Sequence, residues 1–278
     1  MIFFNPPVSR GLDVARILYN RLTMSLRTVK ATRYVTPLRE GGSLPAIIEA
    51  DDDGLYVLKF RGAGQGPKAL IAELVAGEIG RALGLRVPEI VLVEVDPELA
   101  RTEPDPEIQD LIRSSAGLNL ALDYLPGSMT FDPVVTRPDP QLASTVVWFD
   151  ALVSNVDRTP RNPNILTWHK NIWLIDHGAA LYFHHATSDF SGRSKRAFPQ
   201  IREHVLLPFA TKLPDADLRL APLLTKDVIF GIVESIPDIW LGHGQAEESR
   251  VLRNAYLNYL MGRLESPRDF YFEAQHAK

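Results

Sequence analysis

Residues 149–178 read FDALVSNVDRTPRNPNILTWHKNIWLIDHG, and the fold follows from how this stretch divides. Trp148, Phe149, Leu152 and Val153 recur at helical spacing and close a helix predicted from Gln141 to about Ser154. A polar loop follows, Asn155 to Asn162. Then come two apolar runs, Asn164–Trp168 and Ile172–Ile175, around a turn at His169-Lys170-Asn171, which is the pattern of a hairpin. The stretch stops at Asp176-His177-Gly178. Asp157 thus sits in a loop, Asn162 five residues on, and Asp176 at the end of a hairpin that folds it back beside Asn162. Two oxygen donors brought together in this way can share one hard cation. Phosphoryl transfer from ATP uses such a set: an Asp to orient the hydroxyl nucleophile, and an Asn and an Asp on Mg2+.

Working outward, the upstream half is rich in strands. Residues 29–36, 44–50 and 55–60 read as strands, the last two joined by a turn at Asp51-Asp52-Asp53-Gly54. Alternation along the third puts Tyr56, Leu58 and Phe60 on one face and Leu55, Val57 and Lys59 on the other. A lysine among apolar neighbours is either an edge residue whose amine reaches water or a ligand for phosphate. Gly62-Ala63-Gly64-Gln65-Gly66-Pro67 does not have GxGxxG spacing and is read as a linker. A helix is predicted over 68–83, ending at Gly84; its acids Glu73 and Glu78 point to different sides. Strands at 87–95 and 118–124 flank a polar excursion and a short helix near 106–115. Downstream lie helical patterns at about 215–223, 225–235 and 245–264, with a tail ending near Phe272. Strands first and helices after imply an α+β, two-lobed architecture, an antiparallel sheet plus one helix (about 28–122) followed by a mostly helical lobe (about 123–278).

Composition narrows the function classes. Forty-five per cent of the 278 residues are hydrophobic, enough for a sizeable core. With 30 basic against 34 acidic residues the net charge is −4, so neither nucleic acid nor an anionic membrane is the expected partner. The absence of cysteine excludes disulfides, thiolate metal sites and cysteine nucleophiles. No apolar run is long enough to span a bilayer, and a cytoplasmic location is expected. Residues 1–27 are read as an N-terminal extension, with Met24 a candidate internal start. His169, His177, His184 and His185 fit no zinc-binding spacing. Arg193, Lys195 and Arg196 form a short basic patch, read as a solvated loop.

Joined to Lys59 and a helix glutamate, the loop and hairpin complete a five-part set: Lys on the phosphates, Glu fixing the Lys, Asp as base, and Asn and Asp on the metal. Here the chain resembles the HipA-like kinases, bacterial relatives of the protein and phosphoinositide kinases. The resemblance covers roughly 28–185 and rests on AELVAGEIGRALGLRVPE (72–89), DYLPG (123–127), NVDRTPRNPNIL (155–166) and LIDHGAAL (174–181). Residues 157–162 are also similar to the DRHxxN loop of phosphoinositide kinases, with Thr159 in place of its histidine. The resemblance implies a protein-kinase-like fold that uses ATP and Mg2+. It implies Asp157 as catalytic base, Lys59 on the nucleotide phosphates, and Asn162 and Asp176 on magnesium. Glu73, which opens the A-E-x-x-x-G segment, is its candidate for the partner of Lys59, with Glu78 as rival. It makes Leu120–Tyr124 the hinge, with Leu122, Asp123 and Tyr124 offering backbone to adenine.

The sequence also departs from the protein kinases. No GxGxxG loop lies between the first two strands; Gly41-Gly42-Ser43 is either a small anion nest or an ordinary hairpin turn. The DFG triplet reads Asp176-His177-Gly178, with His177 expected to pack where the phenylalanine would. The implied reaction is transfer of the γ-phosphoryl group to a hydroxyl, on a protein Ser/Thr or on a small molecule or lipid. The other reading is a pseudokinase that binds nucleotide or a partner without turnover. Nothing in the sequence names the phosphoacceptor.

Overall fold

A computed structural model describes residues 26–38, 44–185, 190–242 and 246–277. Strands β1 (Thr28–Pro37), β2 (Ala46–Ala50), β3 (Leu55–Lys59), β4 (Ile90–Val95) and β5 (Gly117–Asp123) form the first lobe. Two helices are inserted among them, α1 (Pro67–Ala82) and α2 (Pro106–Ser114). The expected antiparallel sheet closes into a barrel in the order β1-β2-β3-β5-β4. Closure comes from a parallel pairing of Thr28–Lys30 with Leu92–Glu94. β1 pairs β4 through its first three residues and β2 from Ala31 onward, and its register with β2 is broken twice, between Ala31 and Arg33 and between Tyr34 and Thr36. Such irregularities bend and twist a strand, and closure leaves no free edge. A barrel of five strands is narrow, and Ala31, Ala46, Ala50 and Ala121 line it together with Ile48, Leu58, Val91 and Val93.

The other face of the strands packs on α1. Leu70, Ile71, Leu74, Val75 and Ile79 are buried there in one cluster with Ile90, Leu120 and Leu122. Gly77 allows the close approach, since a Cβ at that position would lie 2.5 Å from Ile90 Cδ1. α1 ends in a Schellman motif. Leu85 N donates to Gly80 O and Gly84 N to Arg81 O, both at 3.0 Å, and Gly84 takes φ +79°.

The second lobe begins with β6 (Met129–Thr130) and α3 (Pro140–Val153). Asp139 caps α3 by accepting from Gln141 N and Leu142 N, and every residue from Ala143 to Val153 is buried. β7 (Ile165–Trp168) and β8 (Asn171–Leu174) form the expected hairpin, and β6 adds a third strand to it. Its turn residues His169 and Lys170 both have positive φ, as a two-residue hairpin turn demands. Helices α4 (Leu213–Leu220), α5 (Lys226–Glu234), α6 (Ala246–Leu264) and α7 (Asp269–His276) complete the lobe. α7 replaces the expected tail: Phe270, Tyr271 and Ala274 are buried on one side of it. No described helix is long and apolar enough to cross a membrane.

Candidate active site

Lys59 is the last residue of β3 and faces away from the barrel interior that holds Leu58 and Phe60. Its amine donates to Glu73 Oε2 at 2.7 Å and to Asp176 Oδ1. The Glu73 side chain is fully buried and that of Lys59 is 13% exposed, whereas Asp176 is 45% exposed. Burial disfavours both charges of the inner pair. The carboxylates of Glu73 and Asp176 nevertheless hold the Lys59 ammonium above its ordinary value. Lys59 and His177 in turn hold the Glu73 carboxyl well below the usual range. Glu78 lies elsewhere, 3.4 Å from Arg81, with its carboxyl pushed up by burial. Of the two α1 acids it is therefore Glu73 that meets the lysine.

Asp157 hangs from a loop that the buried core positions. Asp150 on α3 is fully buried and accepts from three donors: Asn155 Nδ2 at 2.9 Å, Arg158 Nε at 2.6 Å and His204 Nε2 at 2.8 Å. Burial opposes its charge, but Arg158 and His204 hold its carboxyl below the normal range. Asn155 passes the restraint on, since its Oδ1 accepts from Asp157 N at 3.2 Å. The Arg158 guanidinium also donates to the carbonyls of Asn164 and Ile175, so one buried cation staples the loop to the residue before Asp176. Ile175 N donates to Asn164 O at 3.1 Å. On Asp157 itself, Oδ2 accepts from Asn162 Nδ2 at 2.7 Å and from Asn164 Nδ2 at 3.2 Å. Oδ1 has no partner among the described residues and is free to accept from a hydroxyl.

Asn162 is exposed and Asp176 half-exposed, and Asp176 takes φ +53°. Among the described residues no group of three or more His, Asp or Glu is arranged as an all-protein metal cage. A magnesium ion that keeps waters and phosphate oxygens needs only one or two protein donors. Asn162, bonded to Asp157, and Asp176, bonded to Lys59, each carry an oxygen of the type such an ion takes.

Two sets of candidate nucleotide ligands stand differently. Gly41, Gly42 and Ser43 lie outside the described residues. At the hinge, the N–H groups of Asp123 and Tyr124 are already committed, to Glu89 O at 2.8 Å and Leu55 O at 2.9 Å. β5 runs between β3 and β4 and is bonded on both sides, so of the backbone expected to meet adenine these two N–H groups instead hold the barrel together. The first N–H past the strand without a partner among the described residues belongs to Leu125, which is itself buried. The glycine linker is tied away from the site, with Arg61 N on Asn119 Oδ1 and Gly62 N on Ser115 Oγ.

Sequence reasoning passed over the residues that hold the set in place: Asp150, Arg158, Asn164, His204 and the bonding role of His177. Two of them left a trace. Asn164, which takes φ +49°, is of a residue type that tolerates the left-handed region. Asp150 is a carboxylate inside an otherwise apolar helical run, which requires a buried partner.

A family model described as HipA-like kinase matches residues 32–272. No curated protein matches the chain significantly in sequence. Among solved structures the chain is similar to the Helicobacter pylori proinflammatory kinase CtkA, with a TM-score of 0.53 and 14% identity, over 90% of this chain and 98% of that one. Two crystal structures of the Golgi casein kinase align less well. One, with Mn/ADP bound, has a TM-score of 0.45 and 13% identity over 94% of this chain and 78% of that one. The other has a TM-score of 0.43 and 13% identity over 94% and 79%. The correspondence of fold rests on CtkA: the chain has a protein-kinase-like fold of mixed helix and strand, and its closed barrel departs from the usual first-lobe sheet of a kinase.

Proposed function

The chain belongs to the HipA-like kinase family, and on that premise we propose that it transfers the γ-phosphoryl group of ATP, with Mg2+, to the hydroxyl of a protein serine or threonine. The observation that carries this reading is the Lys59 amine, held between buried Glu73 and exposed Asp176. An ammonium oriented by one carboxylate and shared with a second, solvent-facing one is placed to bind the phosphates of a nucleotide. Asn162 and Asp176 would hold the magnesium ion, which when bound would supply charge neutralisation to the phosphates. Asp157 receives the acceptor hydroxyl on Oδ1 while Asn162 and Asn164 fix its Oδ2. The Leu125 amide is the donor we assign to adenine. Catalysis on this reading is positioning and electrostatics, with one proton taken by Asp157.

The test is incubation of the protein with labelled ATP, Mg2+ and a mixture of protein acceptors, read as label on protein, with Asp157→Ala as control. Label that appears equally with the variant would overturn the assignment of Asp157. Label recovered only in a small molecule would overturn the protein acceptor and leave the phosphotransfer standing.

A further inference from the structure

His177 occupies the middle of the Asp176-His177-Gly178 triplet, yet it does more than fill space. Its side chain is fully buried and its Nδ1 lies 3.2 Å from Glu73 Oε1, while Glu73 Oε2 takes the Lys59 amine. The ring meets that of Phe149 on α3 edge-on, with centroids 5.8 Å apart and planes at 70°. Nε2 has no partner. The triplet runs directly over α1: a Cβ at Gly178 would lie 3.7 Å from Ala69 O and 3.8 Å from Glu73 Oε2. An ionised carboxylate only accepts hydrogen bonds, so the proton between Glu73 and His177 resides on Nδ1.

We propose that His177 is a positioning residue that holds the Glu73 carboxylate in the rotation that presents Oε2 to Lys59. The proposal rests on the assignment of Lys59 and Glu73 to the nucleotide site. With one oxygen on His177 and the other on Lys59, the carboxylate cannot turn about its terminal bond without losing a bond to a buried charge. Lys59 has two carboxylates to choose from, and once Asp176 is engaged elsewhere only Glu73 orients it. His177 follows Asp176 directly in the chain. Placement of Asp176 and orientation of Glu73 are therefore one event, and the lysine is correctly aimed only when the aspartate is in position.

His177→Phe keeps the ring volume and removes the donor; His177→Asn restores a donor near the Nδ1 position. The expected result is a fall in kcat/KM for ATP of roughly 10- to 100-fold in His177→Phe, the worth of one hydrogen bond to a buried charge, with the acceptor KM unchanged. His177→Asn recovers activity to within about threefold, and His177→Phe adds no more than about twofold in a Glu73→Gln background, because it acts through Glu73. Equal losses in the two His177 variants, or losses that multiply in the double variant, overturn the proposal. A readout independent of turnover is the imidazole N–H proton resonance of His177. A slowly exchanging downfield signal in the wild type that vanishes in Glu73→Gln supports the bond, and its absence from the wild type overturns it. Should that signal be present while Glu73→Gln retains full activity, the bond stands and it is the nucleotide-site reading that fails.

Discussion

Replacing Asp150 by Asn tests how far the fold and the chemistry share one support. The substitution keeps shape and removes charge. In the native protein Oδ1 accepts from Asn155, and Oδ2 from both Arg158 and His204. An amide must aim its NH2 at one side or the other. Toward Arg158 and His204 it faces two donors; toward Asn155 it faces one. Asn155 can flip its own amide to accommodate, but its Oδ1 then leaves Asp157 N. Either way the Arg158 guanidinium, 1% exposed and with one nitrogen already unpartnered, loses its counter-charge. Breaking a buried ion pair on one side costs about 3–5 kcal/mol. For a chain of this size each kcal/mol moves the melting temperature by about 2–3 °C, so Tm should fall by about 6–15 °C. Turnover should fall as well, by up to roughly 100-fold, because Asp157 loses its backbone anchor. Scanning calorimetry and steady-state kinetics on the same preparation read both effects. A variant with the wild-type Tm would refute the buried-pair argument, and a variant that melts early but turns over normally would refute the link from Asp150 through Asn155 to Asp157.

Asp157→Ala should lower kcat by about 100- to 10,000-fold, the usual worth of a positioned base, with nucleotide affinity by titration calorimetry little changed. Asp176→Asn should instead weaken Mg2+-dependent ATP binding; equal affinity with and without Mg2+ in the wild type would count against the metal role. Stability should decline as the solution is acidified, because His184, Asp150 and Glu73 are all held below their ordinary values. Burial, with His185 and Lys68 nearby, pushes His184 down from 6.5 to about 3. The unfolded chain therefore takes up a proton that the native one refuses, and stability present above about 6.5 is lost as pH falls toward 3. Asp150 and Glu73, both held low, add to the loss below the ordinary carboxylate range. Urea midpoints measured from pH 7 to pH 4 check this; His184→Gln should flatten the upper part of that range.

The parts of the chain with strong local patterns were the legible ones. Alternation in Leu55–Phe60 separates the barrel-facing residues from Lys59, and the helical spacing of α1 and α3 puts each within a residue or two of its observed bounds. Barrel closure was not legible, because it depends on bulges in β1 and on three residues of parallel pairing with β4, and the sequence of β1 alone names neither partner. α7 escaped because it lies after Pro267 and is short, with its stability drawn from packing on α3 and α4. At the site, the residue types that carry chemistry stand out by spacing. Their supports do not: the partners of Asp150 come from positions 155, 158 and 204, and no local pattern links them. The hinge shows the same limit, since whether an amide is free depends on what lies on both sides of the strand.

Helix α1 belongs by sequence to the first lobe, but its buried side chains form one continuous cluster with α3, α5 and α6 of the second. Lys68 donates to His184 O at 2.6 Å, Leu174 N to Arg86 O at 2.8 Å, and Trp240 Nε1 to Leu118 O at 3.2 Å. A cut at the hinge would therefore separate halves that cannot stand alone. A fragment ending at Asp123 would carry α1 with its apolar surface in water, and the remainder would have an open trough where the helix lay. The two lobes are one cooperative unit in unfolding. Hydrogen exchange should show the amides of α1 opening together with those of α3, and not with the rim of the barrel.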